Sequence, residues 1–302
     1  MTIKISENIE LQDRCKGGVA LHPSLHSEKG DDMINIRQNE FKKLVDYIES
    51  KYGINLSEKK VLVLSRLQNI LLQKGFKSFE EYFAFVDSDK NGEEDRALIN
   101  KLTTNHTYFL REIEHFKYFA RYVLPYIVSV ENNRDLRIWS AGCSSGEEPY
   151  TLSMVISDFF EQNIVKWNTK VLATDISTDV LNKASRGIYE SSQIEYMPKE
   201  WKMKYLERID DNNYAVRDNI KDNIIFRSFN LNNKEFPFKK RFHVIFCRNV
   251  MIYFSQGKRE ELVDRFYEFT EPGGFLFIGQ SETLNRSGCR YKYVMPAVYR
   301  KE

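Results

Sequence analysis

The sequence predicts an α/β fold with a parallel sheet, preceded by a small all-helical domain. Residues 33–115 carry apolar side chains at helical spacing, whereas residues 116–302 alternate short β-rich segments with helical ones. Strands and helices that alternate in this way form a parallel sheet with helices on its faces. Within the second part, residues 189–223 are polar and mixed in pattern, which indicates a small inserted β-subdomain. Residues 1–32 are rich in glycine and polar side chains, and we expect a flexible tail there.

The helical domain is predicted from its helix ends. A first helix, apolar along one face, ends at Gly53, and a second ends at Gly75, because glycine readily takes the left-handed conformation that closes a helix. A third begins at Ser78, with Glu81 three residues later as a capping box. A fourth follows, and a further helix that ends near Pro125 leads to the α/β part.

The α/β part is predicted from five strands and three helices. The strands are short apolar or β-branched runs, at Leu136–Ala141, Val171–Thr174, Ile224–Phe229, His243–Phe246 and Phe275–Ile278. The helices between them are Pro149–Phe160, Ser177–Arg186 and Ser255–Thr270. Ligands of such sheets bind beyond the carboxyl ends of the strands, so the residues that follow each strand form the candidate site.

A glycine-containing loop follows the first strand. Gly142 and Gly146 allow a tight turn and a close approach of the backbone to a ligand. The loop matches neither the dinucleotide-binding fingerprint nor the Walker A motif, and alone it is also compatible with a plain turn. Glu147 and Glu148 begin the next helix, where they would repel a phosphate. A cationic ligand without phosphate, S-adenosylmethionine, is therefore favoured over NAD.

Polar residues also follow the other strands. Asp175 follows the second strand and suits ribose hydroxyls, although it could equally be a helix N-terminal residue. Asn230 and Leu231 follow the third strand. Arg248 and Asn249 follow the fourth, where a simple turn is the alternative interpretation. Together these residues predict one binding trench along the edge of the sheet.

Composition limits the remaining functional classes. Of the 302 residues, 42 % are hydrophobic, which excludes a disordered chain, and the net charge of +2 gives no strong field for nucleic acid or a membrane surface. The four cysteines and five histidines form no metal-binding motif, so we expect no metal. Signal-peptide and membrane-span patterns are lacking, and we expect a cytoplasmic monomer without membrane insertion.

Four segments resemble the CheR-type chemotaxis receptor methyltransferases, and their order and spacing match that family from about Met33 onward. The segments are Thr103–Glu112, Ser140–Tyr150, Ala173–Ser177 and Phe246–Phe254. The resemblance implies a Rossmann-like class I methyltransferase domain that converts S-adenosylmethionine to S-adenosylhomocysteine. It also implies a substrate: glutamate side chains on the cytoplasmic helices of methyl-accepting chemotaxis receptors, which become methyl esters in sensory adaptation.

The resemblance assigns ten positions to the donor site. They are Asn105, Thr107, Arg111, Gly142, Glu147, Asp175, Asn230, Leu231, Arg248 and Asn249. Glu147 would hold the amino group or a nearby part of the methionine moiety. Asp175 would bind the ribose, and Asn230 and Leu231 would flank the adenine.

Three positions are assigned to transfer and substrate. Arg111 and Tyr253 would act at the transfer site, and Arg66, on a helix rich in lysine, would contact the receptor. Taken alone, Arg111 and Arg66 could belong to solvated helix surfaces, and Tyr253 to a core. A glutamate of ordinary pKa about 4.3 is ionised at neutral pH, so the reaction needs no general base. Arg111 could orient it by a bidentate contact.

Other functions stay open at this point. The chain could be a non-catalytic module that binds S-adenosylmethionine as a signal, or a methyltransferase with another protein substrate. A nucleic-acid amino methyltransferase is disfavoured, because the residues after the fourth strand are Arg248-Asn-Val-Met251 instead of an Asn-Pro-Pro-Tyr motif. An NAD-dependent dehydrogenase is disfavoured by the loop after the first strand.

Overall fold

Among the described residues, the helical domain contains four helices, and local signals mark the ends of two and the start of a third. The computed structural model describes residues 34–161, 166–285 and 288–302, so the tail predicted for residues 1–32 lies outside the described residues. The helices are α1 (Gln38–Tyr52), α2 (Lys60–Lys74), α3 (Phe79–Ser88) and α4 (Glu93–Leu102). Gly53 and Gly75 close α1 and α2 in the left-handed conformation, and the Ser78 hydroxyl accepts a hydrogen bond from the Glu81 N–H. These predicted helix ends are confirmed, but the capping box is incomplete, because the Glu81 carboxylate accepts from the Lys77 N–H instead of the Ser78 N–H.

A continuous helical stretch joins this domain to the sheet. It consists of α5 (Ile113–Tyr118), a π-helical turn (Phe119–Val123) and α6 (Leu124–Val130). The prediction that a helix ends near Pro125 is therefore wrong. Because the π-helical turn restarts the α-helix, Pro125 occupies the first turn of α6, where a missing N–H costs little.

The α/β domain adds ten strands among the described residues. They are β1 (Ile138–Ala141), β2 (Val171–Asp175), β3 (Ile188–Glu190), β4 (Leu206–Arg208), β5 (Asn213–Val216), β6 (Ile224–Ser228), β7 (Phe242–Cys247), β8 (Thr270–Ile278), β9 (Lys292–Met295) and β10 (Val298–Arg300). The helices of this domain that follow α6 are α7 (Glu147–Phe160), α8 (Thr178–Arg186), α9 (Lys199–Tyr205), α10 (Asp218–Lys221) and α11 (Gln256–Phe269). None of the helices in the described residues is long and apolar enough to cross a bilayer.

In the described part of the chain, the main sheet has seven strands in the order β6-β2-β1-β7-β8-β10-β9. The first five are parallel, as predicted. The last two were not predicted: β10 runs antiparallel to both β8 and β9, so the sheet is mixed. These strands are short, and β9 is largely exposed, which removes the apolar pattern that would reveal it.

The inserted β-subdomain is confirmed as a second sheet. Its three antiparallel strands, in the order β3-β5-β4, are accompanied by α9 and α10. The subdomain contacts the loop after β1, because the Tyr189 hydroxyl donates to the Ser145 carbonyl at 2.7 Å. It therefore packs beside the predicted site instead of extending away from it.

The centre of the main sheet is buried on both faces. All four residues of β1 are buried, as expected for a parallel strand covered by helices on both sides. Trp139 packs among aromatic rings such as Phe238 and Phe266, and its Nε1–H donates to Thr174 Oγ1 at 2.9 Å. Strand order reverses between β1 and β7, and a crevice at the carboxyl ends of these two strands is the expected ligand site.

Candidate functional site

One cleft opens at the carboxyl ends of β6, β2, β1 and β7. Its volume is about 1330 Å³, counting the space open to solvent. The strand ends form one side, and the helical domain forms the other with side chains such as Tyr52, Ile54, Lys59 and Leu62. The cleft is therefore completed only when the two domains pack together.

Most of the predicted site residues meet in this cleft. The predicted residues that line it are Asn105, Thr107, Arg111, Gly142, Asp175, Asn230, Leu231, Arg248, Asn249 and Tyr253. Two others, Glu147 and Arg66, are not among its lining residues. In the part of the chain that the structure describes, no three His, Cys, Asp or Glu side chains are grouped as a metal site requires.

Glu147 and Arg66 make contacts inside the protein. Glu147 is 1 % exposed, and both of its carboxylate oxygens accept from the Ser145 hydroxyl, at 2.8 and 3.0 Å. Burial raises the pKa of Glu147. Arg66 Nη1 donates to the carbonyls of Leu102 and Thr103, at 2.7 and 2.8 Å. A cation that caps the last carbonyls of α4 stabilises that helix end and the segment that leaves it.

The loops after β1 and β2 are joined by Asp175. Its Oδ2 accepts from the Ser144 N–H at 2.8 Å, and its Oδ1 accepts from the Ser177 N–H at 2.9 Å. Burial raises the pKa of Asp175, while these backbone donors oppose the rise.

Gly142 has φ +88°, and a Cβ there would lie 2.3 Å from Val250 Cγ2. Only glycine therefore allows the loop after β7 to pack this closely.

The segment between α4 and α5 crosses the cleft and carries Arg111. The Ser144 hydroxyl fixes it by donating to the Asn105 carbonyl at 3.0 Å. Arg111 Nη1 donates to the His106 carbonyl at 2.8 Å, and the guanidinium lies 5.8 Å from the centre of the Tyr108 ring. Among the described residues, no carboxylate lies within ion-pair distance of Arg111. The cleft thus contains a positioned cation that is free to bind an anion.

Arg248 has the opposite environment. It is 6 % exposed, and its guanidinium pairs with Glu112 Oε2 and with Glu148 Oε2, each at 3.0 Å. The same group lies 5.1 Å from the centre of the Phe116 ring. Burial acts to raise the pKa of Glu112, but Arg248 holds it below the usual range, whereas burial raises the pKa of Glu148. A buried arginine needs such partners, yet its position in sequence does not identify them.

The helical domain is attached to two of the predicted site residues. Asn230 Nδ2 donates to the Lys51 carbonyl at the end of α1, at 2.9 Å. The Asn55 N–H donates to the Tyr253 carbonyl at 2.8 Å. Sequence patterns could not reveal these contacts, since they depend on how the two domains pack.

Comparison with known proteins agrees with this geometry. Residues 39–103 match the family model described as the CheR methyltransferase all-alpha domain, and residues 105–298 match the CheR methyltransferase SAM binding domain. A chemotaxis protein methyltransferase of Borreliella burgdorferi is 44 % identical over 272 residues, which cover 89 % of this chain and 96 % of that protein. The chemotaxis protein methyltransferase of Escherichia coli is 34 % identical over 263 residues, which cover 86 % and 89 % of the two chains.

A third relative, chemotaxis protein methyltransferase 2 of Vibrio cholerae, is 36 % identical over 255 residues, which cover 84 % of this chain and 88 % of that protein. The two family models meet at residue 104, after the last helix of the helical domain. The resemblance drawn from four short segments is therefore confirmed over most of the chain. The protein belongs to the CheR methyltransferase family.

Proposed function

We propose that the protein transfers a methyl group from S-adenosylmethionine to the γ-carboxylate of glutamate residues in methyl-accepting chemotaxis receptors. The names of its relatives, chemotaxis protein methyltransferases, support this class of substrate. The observation that carries the proposal is the Arg111 guanidinium, which lines the cleft without a carboxylate partner among the described residues. The carboxylate of an incoming glutamate would supply that partner.

The cleft fits a donor that contains ribose, an aromatic base and a positive charge but no phosphate. Asp175 offers carboxylate oxygens to ribose hydroxyls, and Phe229 and Leu231 offer apolar surface to a base. The first turn of α7, where the helix dipole would attract a phosphate, contains Glu147 and Glu148. S-adenosylmethionine has this combination of groups, and a dinucleotide does not.

The residues that would hold the donor follow from this placement. Asp175 would bind the ribose, and Asn230 and Leu231 would flank the adenine. Asn105 and Thr107 line the cleft near the glycine loop, where the methionine moiety would lie. Glu147 is 1 % exposed and does not line the cleft, so it could hold the amino group only if its carboxylate became accessible from the cleft.

The remaining lining residues would orient the reacting groups. When bound, the donor supplies a methyl group attached to a positively charged sulfur. A bond forms between that methyl group and an oxygen of the glutamate carboxylate as the carbon–sulfur bond breaks. The glutamate is already ionised at neutral pH, so no side chain has to remove a proton. Arg111 would orient the carboxylate, with Tyr253 beside it. An ion pair that is too tight between Arg111 and the carboxylate would stabilise the ground state and slow transfer. Orientation of this kind is worth up to roughly 7–11 kcal/mol.

Methyl transfer to receptor fragments tests the proposal. Radiolabelled S-adenosylmethionine would be incubated with the cytoplasmic part of a chemoreceptor, and methanol released by base would report glutamate methyl esters. We expect label with the wild type and a loss of about 100-fold in kcat/KM for Arg111→Ala. Asp175→Asn should weaken binding of S-adenosylhomocysteine in calorimetry. Arg121→Ala is the matched control, since Arg121 lies 5.5 Å from the Tyr122 ring outside the cleft.

The outcomes separate the competing functions. Base-labile label that is lost in Arg111→Ala but kept in Arg121→Ala supports glutamate methylation and the site. Label that resists base would indicate a different acceptor group in the substrate. If no label appeared while S-adenosylhomocysteine still bound, the protein would be a non-catalytic sensor or a methyltransferase for another protein.

A further inference from the structure

A buried carboxylate lies behind the cleft and has no part in the function proposed above. Glu282 follows β8 in the chain, is 6 % exposed and is not among the residues that line the cleft. An ionised carboxylate is costly to bury unless hydrogen bonds compensate for the lost water. Its position therefore requires an explanation in terms of what it binds.

Glu282 binds three backbone N–H groups. Its Oε2 accepts from the N–H groups of Asn249 and Gly279, at 3.0 and 2.6 Å. Its Oε1 accepts from the Ile252 N–H at 3.1 Å. The side chain thus ties the residues that follow β7 to the end of β8.

The segment after β7 needs such support. Asn249 has φ +58°, a left-handed conformation that asparagine adopts more readily than most residues but less readily than glycine. A single turn of 3-10 helix follows, at Met251–Tyr253, which is too short to be stable by itself. Asn249, Ile252 and Tyr253 all line the cleft, so the backbone that Glu282 holds determines where they point.

We propose that Glu282 is a positioning residue for methyl transfer, which fixes the backbone of residues 249–252 so that Asn249 and Tyr253 face the reacting groups. The inference rests on the proposed function, because it assigns Glu282 to the reaction through these two side chains. Glu282 does not line the cleft, so it would act through these residues without touching donor or substrate itself.

Glu282→Gln tests this role with little change of shape. Glutamine has one acceptor oxygen and an NH₂ group, so at least one backbone N–H would face a second donor. The segment should shift slightly, and a shift of about 1 Å at a reacting centre can cost up to about 100-fold in rate. We expect kcat to fall about 10- to 100-fold. The Kd of S-adenosylhomocysteine should change by no more than about threefold, because transfer demands stricter alignment than binding.

Glu40→Gln is the matched control. Glu40 is also buried and also accepts backbone N–H groups, from Arg37 at 2.6 Å and from Glu80 at 3.1 Å. It lies near the start of α1, about 18 Å along the helix from Tyr52 at the cleft. The same chemical change there should lower the unfolding midpoint without changing kcat or KM.

Three results would decide the matter. A fall in kcat for Glu282→Gln alone, with nearly unchanged S-adenosylhomocysteine binding, supports the positioning role. Equal kcat values for the Glu282→Gln and Glu40→Gln variants, or a fall that only follows the folded fraction, would overturn it. If the glutamine variant did not fold, Glu282→Asp would be tested in its place. Aspartate keeps the charge, but its side chain is one methylene shorter, so its oxygens lie farther from the three N–H groups.

Hydrogen exchange separates this inference from the proposed function. Faster exchange of the Asn249 and Ile252 amides in Glu282→Gln is expected whether or not receptor fragments accept methyl groups. An inactive wild type would contradict the proposed function, whereas unchanged exchange at these two amides would contradict the contact that carries the inference.

Discussion

Arg111 and Arg248 line the same cleft, but their surroundings are opposite. The floor consists of Arg248 with Glu112 and Glu148, a buried cation paired with two carboxylates. The rim consists of Arg111 and His106, and the Arg111 guanidinium there binds a backbone carbonyl. Since the floor charges satisfy one another, they can stabilise the site, while the rim cation remains available to a ligand.

The two regions are also joined. Arg248 Nη2 donates to the Arg111 carbonyl, so the buried cation fixes the backbone from which the rim cation extends. Arg111 and Glu112 are consecutive, and Glu112 has φ +55°. Adjacent residues therefore serve different purposes: Glu112 pairs in the floor, and Arg111 lines the rim. The difference shows that the partners of a charged residue at a cleft indicate whether it stabilises the fold or is available to a ligand.

The largest expected effect comes from the floor. Arg248→Ala leaves two buried carboxylates without their cation, and we expect the free energy of unfolding to fall by about 3–5 kcal/mol. Urea denaturation at neutral pH measures this. Arg290→Ala, which removes an exposed pair with Glu268, should leave the midpoint close to that of the wild type. Equal losses in the two variants would remove the distinction between buried and exposed pairs.

The next effect concerns the pH dependence of the floor. His115 is buried beside Glu112 and Arg248, and burial lowers its pKa to about 4. The unfolded chain, with an ordinary histidine pKa of about 6.5, binds this proton first, so stability should decline as the pH falls from about 6.5 to about 4. The contribution is on the order of 3 kcal/mol. His115→Gln should flatten this part of the urea midpoint–pH curve, and an unchanged slope would contradict the assignment.

The smallest expected effect belongs to the rim. Arg111→Ala removes a cation that has no carboxylate partner among the described residues, and we expect the free energy of unfolding to change by less than about 0.5 kcal/mol. The same urea series as for Arg248→Ala measures it. A loss near that of Arg248→Ala would mean that Arg111 is structural, and its loss of activity would then need another explanation.

The sequence by itself determined the local structure and most of the candidate site. Gly53, Gly75 and Ser78 ended or began helices as predicted, because caps and glycine conformations depend on a few neighbouring residues. The five parallel strands were visible in their apolar runs. Residues that follow those strands lie close together, because the carboxyl ends of parallel strands are at the same edge of the sheet. This is why Asp175 and Asn230 could be assigned to one trench.

Only the tertiary structure decided which of these side chains face the cleft and what holds them. Glu147 binds Ser145 and does not line the cleft, and Arg66, predicted to contact the receptor, caps α4. The pairing of Arg248 with Glu112 joins residues 136 positions apart in the chain. Packing of whole domains also created the second wall of the cleft. Sequence patterns report the preferences of neighbouring residues, whereas the partner of a buried charge is chosen by the packed fold, where distant segments meet.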